Sequence, residues 1–252
     1  MDSKNNAEII ERYKNATNRL ILLDYDGTLV NFTSIPNTAI LTEEITMIIR
    51  KLVRNPNTEL FIITGRSHND IDRFLNHIPI NIIAEHGAII KKDGQWKNQI
   101  KVSNKWKKTI IPILNEISTT CTGSYVEEKS FSLTWHYRNA EPGVGYSVSR
   151  ELIYLLEKVI HPINLKVLDG NKIVEVLSDK TGKGKAVKNL FEQNNYDFIL
   201  SIGDDATDEE MFEFFLNKSV AFTIKVGEGS TSAKSKLNTI NDVASLLKQM
   251  SA

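Results

Sequence analysis

The 252-residue chain lacks several features that mark special classes of protein. It has one cysteine, Cys121, so no disulfide can form within the chain, and a lone cysteine usually behaves as a small buried apolar residue. Lys plus Arg and Asp plus Glu both number 31, which leaves no general basic surface for nucleic acid. Any anion must therefore bind at a local site.

Hydrophobic runs long enough for a membrane are also missing. No apolar stretch approaches the roughly 20 residues that span a bilayer, and the polar residues 1–19 lack the apolar core of a signal peptide. The chain has no internal repeats and no low-complexity segments. We expect a soluble, cytoplasmic protein that binds neither membrane nor nucleic acid.

The sequence does contain a series of short, continuous apolar runs separated by helical patterns. The runs are residues 20–23, 60–63, 82–84, 198–202 and 220–222. Continuous rather than alternating apolar residues are typical of strands buried on both faces of a parallel sheet. Apolar spacing predicts a helix over 43–53, between the first two runs, and a short one over 208–216. This order predicts an α/β fold with a Rossmann-like, doubly wound core.

The middle of the chain has a different pattern. Residues 131–137 alternate strictly between apolar and polar, which predicts a strand of an antiparallel sheet with one covered face. Hairpins are predicted around Asp93-Gly94 and Asp169-Gly170. Helices are predicted over 106–117, despite Pro112, and over 148–159. We predict an inserted α+β domain over 90–178, between two halves of the core at 1–89 and 179–252.

Chemically capable residues follow three of the predicted strands. These are Asp24 and Asp26 after the first, Thr64-Gly65-Arg66 after the second, and Asp204 and Asp205, with Asp208, after the later one. A further basic residue, Lys183, opens a predicted helix. Open parallel sheets bind ligands at the carboxyl ends of their strands, so we expect these groups to meet at one edge.

Carboxylates gathered in this way repel one another unless they share protons or a cation. Mg²⁺, bound by one or two carboxylates, water and a substrate phosphate, fits this composition. The turn Thr64-Gly65-Arg66, the backbone near Gly27 and the ammonium of Lys183 can then hold phosphoryl oxygens as charge develops.

These residues resemble the four ordered motifs of the haloacid dehalogenase-like phosphatases, and the resemblance covers nearly the whole chain. It implies that Asp24 is the nucleophile of an aspartyl-phosphate mechanism. It implies that Asp26 protonates the leaving oxygen and then activates water. It also implies that Mg²⁺ contacts Asp24, Asp204 and the backbone carbonyl of Asp26, with Asp205 and Asp208 behind these ligands. Thr64 and Lys183 are the remaining catalytic residues that it implies.

The closer resemblance is to the trehalose-6-phosphate phosphatases. It is carried by Glu85-His86-Gly87, Glu127-Glu128-Lys129, the stretch from His136 through Ala140, Val174-Glu175-Val176 and the stretch from Gly203 to Phe212. It implies hydrolysis of trehalose 6-phosphate, the last step of trehalose biosynthesis, with Glu127, Lys129 and Glu175 on the sugar hydroxyls. His136 and Arg138 are further substrate-binding candidates; His136 alternatively packs beside Trp135, and Arg138 alternatively braces a carboxylate.

The insertion lies between the second and third motifs, the C2-type position at which relatives carry an α+β cap that supplies specificity. Fused relatives also carry a synthase domain, so we expect this chain to act alone or beside a separate trehalose-6-phosphate synthase.

Several alternatives stay open. The chain could be a phosphatase or phosphomutase for another sugar phosphate, or a non-catalytic regulatory subunit of a trehalose-synthesising complex. A signalling receiver is disfavoured by the inserted domain and by Gly27-Thr28 directly after Asp26. Lys185 is a less favoured candidate for the role of Lys183.

Overall fold

The computed structural model describes residues 3–161 and 163–252, without the side chains of Ser3 and Lys4. The chain divides into two compact units. One, the core unit, comprises the residues up to Gln99 together with Gly182–Ala252, and the other, the inserted unit, comprises Ile100–Thr181. No helix in the described ranges is long and apolar enough to cross a membrane.

The described residues form strands and helices in both units. The strands are β1 (Arg19–Leu23), β2 (Thr58–Ile63), β3 (Asn81–Ala84), β4 (Ile89–Lys92), β5 (Gln95–Asn98), β6 (Tyr125–Glu128), β7 (Ser132–His136), β8 (Leu165–Gly170), β9 (Ile173–Ser178), β10 (Phe198–Gly203), β11 (Ala221–Val226) and β12 (Ser235–Leu237). The helices are α1 (Ser3–Asn15), α2 (Glu43–Arg54), α3 (His68–Leu75), α4 (Lys107–Thr120), α5 (Pro142–Ile160), α6 (Lys183–Gln193), α7 (Ala206–Phe215) and α8 (Ile240–Met250).

Within the described residues, the core unit is built on one sheet in the order β12-β11-β10-β1-β2-β3-β4-β5. The strands from β12 to β3 are parallel, whereas β4 and β5 are antiparallel. Each of the five predicted apolar runs lies in or overlaps a parallel strand, so the predicted α/β core is confirmed.

Both faces of this sheet are buried. On one face, Leu20 and Leu22 of β1 lie in a cluster with Val187 of α6 and Phe212 of α7. Alternate residues of a strand point to opposite faces, and Ile21, on the other face, is also fully buried. The continuous apolar pattern therefore reflects burial of both faces of the sheet.

The first hairpin belongs to the core sheet, which differs from the predicted domain division. The turn at Asp93-Gly94 forms as expected, but β4 pairs with β3, so residues 90–99 extend the core. The unit boundaries fall after Gln99 and after Thr181 rather than after residues 89 and 178. Local alternation identifies a hairpin but does not identify the sheet that it joins.

The inserted unit contains an antiparallel sheet in the order β6-β7-β9-β8. One face carries Leu133 and Trp135, which pack in a cluster with Leu114 of α4 and Leu152 of α5. The covered face predicted from the alternation is therefore confirmed. The helix around Pro112 also forms.

The second hairpin turns later than predicted. Asp169 and Gly170 are the last residues of β8, and the turn is made by Asn171 and Lys172. Lys172 has a left-handed backbone with φ of 64°. The Asp-Gly pair was the stronger turn signal, but the pairing register places it in the strand.

Both chain connections to the inserted unit begin beside the same short segment of the core unit. The N–H of Gln99 donates to the carbonyl of Ala88 at 2.8 Å, and the N–H of Gly182 donates to the carbonyl of His86, also at 2.8 Å. The two core residues that flank the insertion, Gln99 and Gly182, are thus both hydrogen-bonded to residues 86–88.

Candidate active site

Asp24 follows β1 in the middle of the core sheet and is 4% exposed. Its Oδ1 accepts a hydrogen bond from Lys183 Nζ at 2.7 Å, while its buried Oδ2 has no hydrogen-bond partner. Burial raises the pKa of Asp24 to about 8; Lys183 opposes this rise, and the neighbouring Asp204 adds to it. One oxygen of this carboxylate is anchored and the other is uncommitted.

Lys183 is the first residue of α6 and is 2% exposed. Its ammonium also donates to Asp208 Oδ1 at 2.8 Å. Burial lowers the pKa of Lys183, but the charges of Asp208 and Asp24 outweigh it and raise the pKa well above its usual range. The alternative lysine, Lys185, is exposed on the same helix. Glu210 fixes the start of this helix by accepting the N–H of Gly184 at 3.2 Å.

Asp204 follows β10, the strand that pairs with β1. Its carboxylate lies directly against Gly27, which has φ of 86° and no room for a Cβ. Burial raises the pKa of Asp204 to about 7, with further contributions from Asp205 and Asp208. The backbone carbonyl of Asp204 accepts a hydrogen bond from Lys225 Nζ at 2.7 Å.

Carboxylate oxygens of Asp24, Asp204 and Asp208 lie within 4.8 Å of one another, an arrangement that could hold a metal ion. Both oxygens of Asp208 already accept hydrogen bonds, Oδ1 from Lys183 and Oδ2 from the backbone N–H groups of Asp204 and Asp205. Asp24 and Asp204 therefore offer the better donor set. The unpartnered Oδ2 of Asp24 fits a cation, because a buried carboxylate oxygen without a partner is costly.

Asp205 is the N-cap of α7 and forms a capping box with Asp208. Its Oδ1 accepts hydrogen bonds from the N–H and Oγ1 of Thr207 at 2.8 and 2.6 Å. Burial raises the pKa of Asp205, but Lys183 and these hydrogen bonds outweigh it, and the net pKa is lowered. Asp205 and Asp208 thus shape the loop that presents Asp204.

Asp26 is held by Arg66 in a two-pronged ion pair. Nε of Arg66 lies 2.6 Å from Oδ2, and a terminal nitrogen lies 2.7 Å from Oδ1. The guanidinium also lies over the rings of Tyr25 and Phe74, at 5.5 and 5.2 Å from their centroids. Burial lowers the pKa of Arg66, but Asp26 outweighs it and the net pKa is raised. Direct contact between Arg66 and substrate stays a prediction; its observed partner is Asp26.

Thr64 and Gly65 follow β2, beside the strand that carries Asp24. Thr64 is 2% exposed, and its Oγ1 accepts the N–H of Arg66 at 3.1 Å, which closes a tight turn. The ring of His86 lies against Gly65, so that a Cβ there would be 2.5 Å from Nε2. The turn is therefore packed from one side by a residue of a later segment.

In the inserted unit, two of the predicted substrate-binding residues, Glu127 and Glu175, lie in one row on the same face of the sheet. The register aligns Glu127, Thr134 and Glu175 in a row across β6, β7 and β9. Lys129 Nζ lies 2.9 Å from Glu175 Oε1, and both side chains are buried. The hydroxyl of Ser132 donates to the same oxygen at 2.5 Å.

His136 lies on the same face as this row. Its Nε2 is 2.8 Å from Glu127 Oε2, and its ring stacks on Tyr125 with centroids 4.6 Å apart. Burial raises the pKa of Glu127, but His136 and Lys129 outweigh it, and the net pKa is lowered. Arg138 donates to the carbonyl of Asn171 in the neighbouring turn at 2.7 Å.

Two residues of these clusters were not singled out from the sequence. The Oγ1 of Thr134 is buried between Glu127 and Glu175 in the row and has no hydrogen-bond partner. Its alternating position in residues 131–137 was the available signal. Lys225 carries no such signal, because only the pairing of β11 with β10 brings it to Asp204.

The parallel sheet with Asp24 after its central strand β1, Lys183 at the start of α6 and Asp204 directly after β10 defines a haloacid dehalogenase-like fold. A solved structure of a haloacid dehalogenase-like hydrolase from B. subtilis has this fold, with a TM-score of 0.61, 18% identity and coverage of 91% of this chain and 98% of that one. The sequence model of the trehalose-phosphatase family matches residues 22–243, and the chain belongs to that family.

Two further relatives have names that concern trehalose 6-phosphate. The chain is 36% identical to the bifunctional trehalose-6-phosphate synthase/phosphatase of Thermoproteus tenax, over 94% of this chain and 32% of that protein. The C-terminal domain of C. albicans trehalose-6-phosphate phosphatase has a TM-score of 0.93 and 28% identity, covering 98% of this chain and 96% of that one. The chain spans about a third of the length of the curated relatives that it matches.

Proposed function

We propose that this chain is a phosphatase that hydrolyses trehalose 6-phosphate to trehalose and inorganic phosphate, the last step of trehalose biosynthesis. The observation that carries the proposal is the state of Asp24, a buried carboxylate with one oxygen held by Lys183 and the other uncommitted. The family and the names of the relatives support the choice of substrate.

Mg²⁺ is the cofactor that we propose. The family implies a divalent metal, and Asp24 and Asp204 would hold it, together with the backbone carbonyl of Asp26. Mg²⁺ suits a site with few carboxylates that leaves positions for water and phosphate. When bound, the ion would offset the crowded negative charge and allow a phosphate dianion to approach.

In the proposed reaction, a carboxylate oxygen of Asp24 attacks phosphorus, and the bond from phosphorus to the sugar oxygen breaks. Asp26, after it has taken up a proton and released one arm of its pair with Arg66, gives that proton to the leaving oxygen. A water molecule then attacks the aspartyl-phosphate, Asp26 accepts a proton from the water, and inorganic phosphate leaves Asp24. The remaining arm of Arg66 would hold the carboxyl of Asp26 in orientation for both proton transfers.

The phosphoryl oxygens would be held by Lys183, the Thr64 hydroxyl and the backbone N–H groups of the turns at Gly27 and Gly65. Donors that are positioned before the reaction stabilise charge as it develops and need not reorganise. Lys183 is suited to this role because its ammonium is already fixed by two carboxylates.

The sugar would be bound by the inserted unit, through Glu127, Lys129, Glu175 and His136, to which we add Thr134. Charged hydrogen-bonding groups grip hydroxyls strongly, and a site built in this way rejects analogues that lack them. The buried, unpartnered Oγ1 of Thr134 supports this addition, since a sugar hydroxyl would satisfy it.

A phosphate-release assay tests the proposal. The chain would be incubated with Mg²⁺ and trehalose 6-phosphate, sucrose 6-phosphate, glucose 6-phosphate or p-nitrophenyl phosphate. We expect kcat/KM for trehalose 6-phosphate to exceed that for the other sugar phosphates by about 10²-fold or more. Preference for another sugar phosphate would refute the assignment, as would interconversion of glucose phosphates without phosphate release, and no release from any ester would indicate a regulatory subunit.

A separate trehalose-6-phosphate synthase is the partner that we propose, because the Thermoproteus tenax relative is named for both activities. Mixing the chain with such a synthase and measuring co-elution in gel filtration tests this. Independent elution at micromolar concentrations would contradict a stable complex.

A further inference from the structure

Three consecutive buried residues after β3 have a left-handed backbone. The φ values are 49° for Glu85, 53° for His86 and 92° for Gly87. Residues other than glycine rarely adopt this conformation, and two non-glycine residues in succession with positive φ are uncommon. Residues in this state persist only where their surroundings hold them, and they concentrate at functional sites. We call Glu85-His86-Gly87 the left-handed segment.

One side of the left-handed segment is bonded to the turn that follows β2. The N–H of Glu85 donates to the carbonyl of Arg66 at 3.0 Å, and the N–H of His86 donates to the carbonyl of Thr64 at 3.1 Å. The ring of His86 lies against Gly65, between these two residues. The turn is thus held by two backbone hydrogen bonds and one packed ring.

The other side is bonded to the start of α6. The carbonyl of His86 accepts the N–H of Gly182, the residue before Lys183, at 2.8 Å. A Cβ on Gly87 would lie 2.8 Å from the Cβ of Ala186 and 3.1 Å from the carbonyl of Gly182. Glycine therefore allows the segment to approach the helix closely.

We propose that the left-handed segment is a positioning element for phosphoryl transfer, which fixes the distance between the Thr64-Gly65-Arg66 turn and Lys183. The inference rests on the proposed function, in which both groups hold the same phosphoryl group. The segment is hydrogen-bonded to the backbone of the turn and to Gly182, the residue before Lys183, and an extended backbone at His86 would direct its N–H and carbonyl elsewhere. A misplacement of about 1 Å at a catalytic group can cost about 10²-fold in rate.

The test compares two substitutions of His86 that differ in backbone preference. Asparagine tolerates the left-handed region, whereas β-branched valine does not. Asn57→Val is the matched control, since Asn57 is left-handed with φ of 61° but exposed and placed before β2, at the opposite end of that strand. Each variant is assayed with trehalose 6-phosphate and p-nitrophenyl phosphate, for inhibition by inorganic phosphate, and for melting temperature.

We expect His86→Asn to keep kcat within about fivefold, and His86→Val to lower kcat by about 30- to 100-fold on both esters. Inhibition by inorganic phosphate should weaken in His86→Val by about tenfold, because the phosphate-binding groups have separated. Asn57→Val should lower the melting temperature with kcat unchanged. Wild-type kcat in His86→Val, or equal losses in the two His86 variants, would overturn the proposal.

Should His86→Val fail to fold, a second pair of variants tests the positioning role of the left-handed segment. Gly65→Ala would clash with the His86 ring and displace the turn, and His86→Gly in the same chain would remove the clash and keep the left-handed backbone. We expect the double variant to bind inorganic phosphate at least about fivefold more tightly than Gly65→Ala alone. No recovery would overturn the proposal. If the wild type hydrolyses neither ester, the proposed function fails, and calorimetry of inorganic phosphate with the same variants still tests the positioning role.

Discussion

The core unit and the inserted unit each bury a cluster of charged side chains, and the two clusters balance their charge in different ways. Four carboxylates in the core surround Lys183, and burial together with mutual repulsion raises the pKa values of Asp24 and Asp204 to about 8 and 7. In the inserted unit each carboxylate of the cluster has its own basic partner, since Glu175 pairs with Lys129 and Glu127 accepts a hydrogen bond from, or pairs with, the ring of His136.

This difference predicts two kinds of ligand. Excess negative charge in the core calls for a cation before an anionic phosphate can bind. In the inserted unit both carboxylates already have side-chain partners, and the neutral hydroxyl of Thr134 is left without one, which suits a neutral polyhydroxyl group. Under the proposed function, hydrolysis of trehalose 6-phosphate would depend on both clusters, whereas p-nitrophenyl phosphate carries no sugar and would depend only on the core. Comparing the two esters therefore separates the contributions of the units.

The largest effect is expected from Asp24→Asn. An amide cannot form the aspartyl-phosphate, so phosphate release from both esters should fall by at least about 10³-fold. The fold should persist because asparagine has the same shape, and circular dichroism and melting temperature check this. Retained turnover in a folded Asp24→Asn variant would refute the covalent mechanism.

Removing the metal should rank next. EDTA should abolish hydrolysis of both esters, and added Mg²⁺ should restore it. Asp204→Asn should raise the Mg²⁺ concentration required for half-maximal activity by about 10²-fold or more. A direct metal ligand should matter at least as much for Mg²⁺ affinity as the groups that orient ligands. Calorimetry of Mg²⁺ binding to the variant is the readout independent of activity. Unchanged Mg²⁺ affinity would remove Asp204 from the donor set.

Arg66→Lys should lower kcat on both esters by about 10- to 100-fold, because lysine cannot make the two-pronged contact that orients Asp26. Arg73→Lys is the matched control, since Arg73 also lies 5.2 Å from the Phe74 ring but is exposed. Should Arg66→Lys raise KM and the phosphate inhibition constant with kcat unchanged, Arg66 would instead contact phosphate directly.

Glu175→Gln should act on the sugar alone. KM for trehalose 6-phosphate should rise by about 10- to 50-fold, since a charged hydrogen bond is lost and Lys129 is left unbalanced. Hydrolysis of p-nitrophenyl phosphate should stay within about threefold. Glu128→Gln, on an exposed residue of the same sheet, serves as the control. Equal losses on both esters would show that the two clusters do not work separately.

Thr134→Val should have the smallest effect. Valine keeps the shape of threonine but lacks the hydroxyl, so KM for trehalose 6-phosphate should rise by about three- to tenfold. Thr134→Ser should retain wild-type KM. The melting temperature of Thr134→Val should not fall, because the hydroxyl has no partner in the protein. An unchanged KM in Thr134→Val would exclude contact with the sugar.

The fold was largely predictable because its signals are local. Continuous apolar runs identified the parallel strands, and strict alternation around Trp135 identified the covered antiparallel sheet. The position of β4 and β5 at the edge of the core sheet was not predictable, because the sequence of residues 89–98 does not indicate that they pair with β3. The turn at Lys172 was missed because pairing register overrode the Asp169-Gly170 signal.

In the candidate site, order along the chain predicted which residues meet but not how they pair. Lys183 reaches Asp24 as expected. Arg66 pairs with Asp26, 40 residues earlier in the chain, and only the folded structure shows this contact. Asp208 accepts the N–H of Asp204 within one loop, and this bond depends on the conformation of that loop. Residue type alone cannot distinguish a free carboxylate from one already committed to backbone N–H groups.

The junctions of the inserted unit have a consequence for how such proteins diversify. Gln99 and Gly182 are both hydrogen-bonded to residues 86–88, so the polypeptide leaves the core unit and returns to it beside the same short segment. An inserted segment of a different length can connect Gln99 to Gly182 without altering the order of the core strands. Recombination between relatives at these two positions would exchange the whole inserted unit and leave the strands and buried carboxylates of the core unit unchanged.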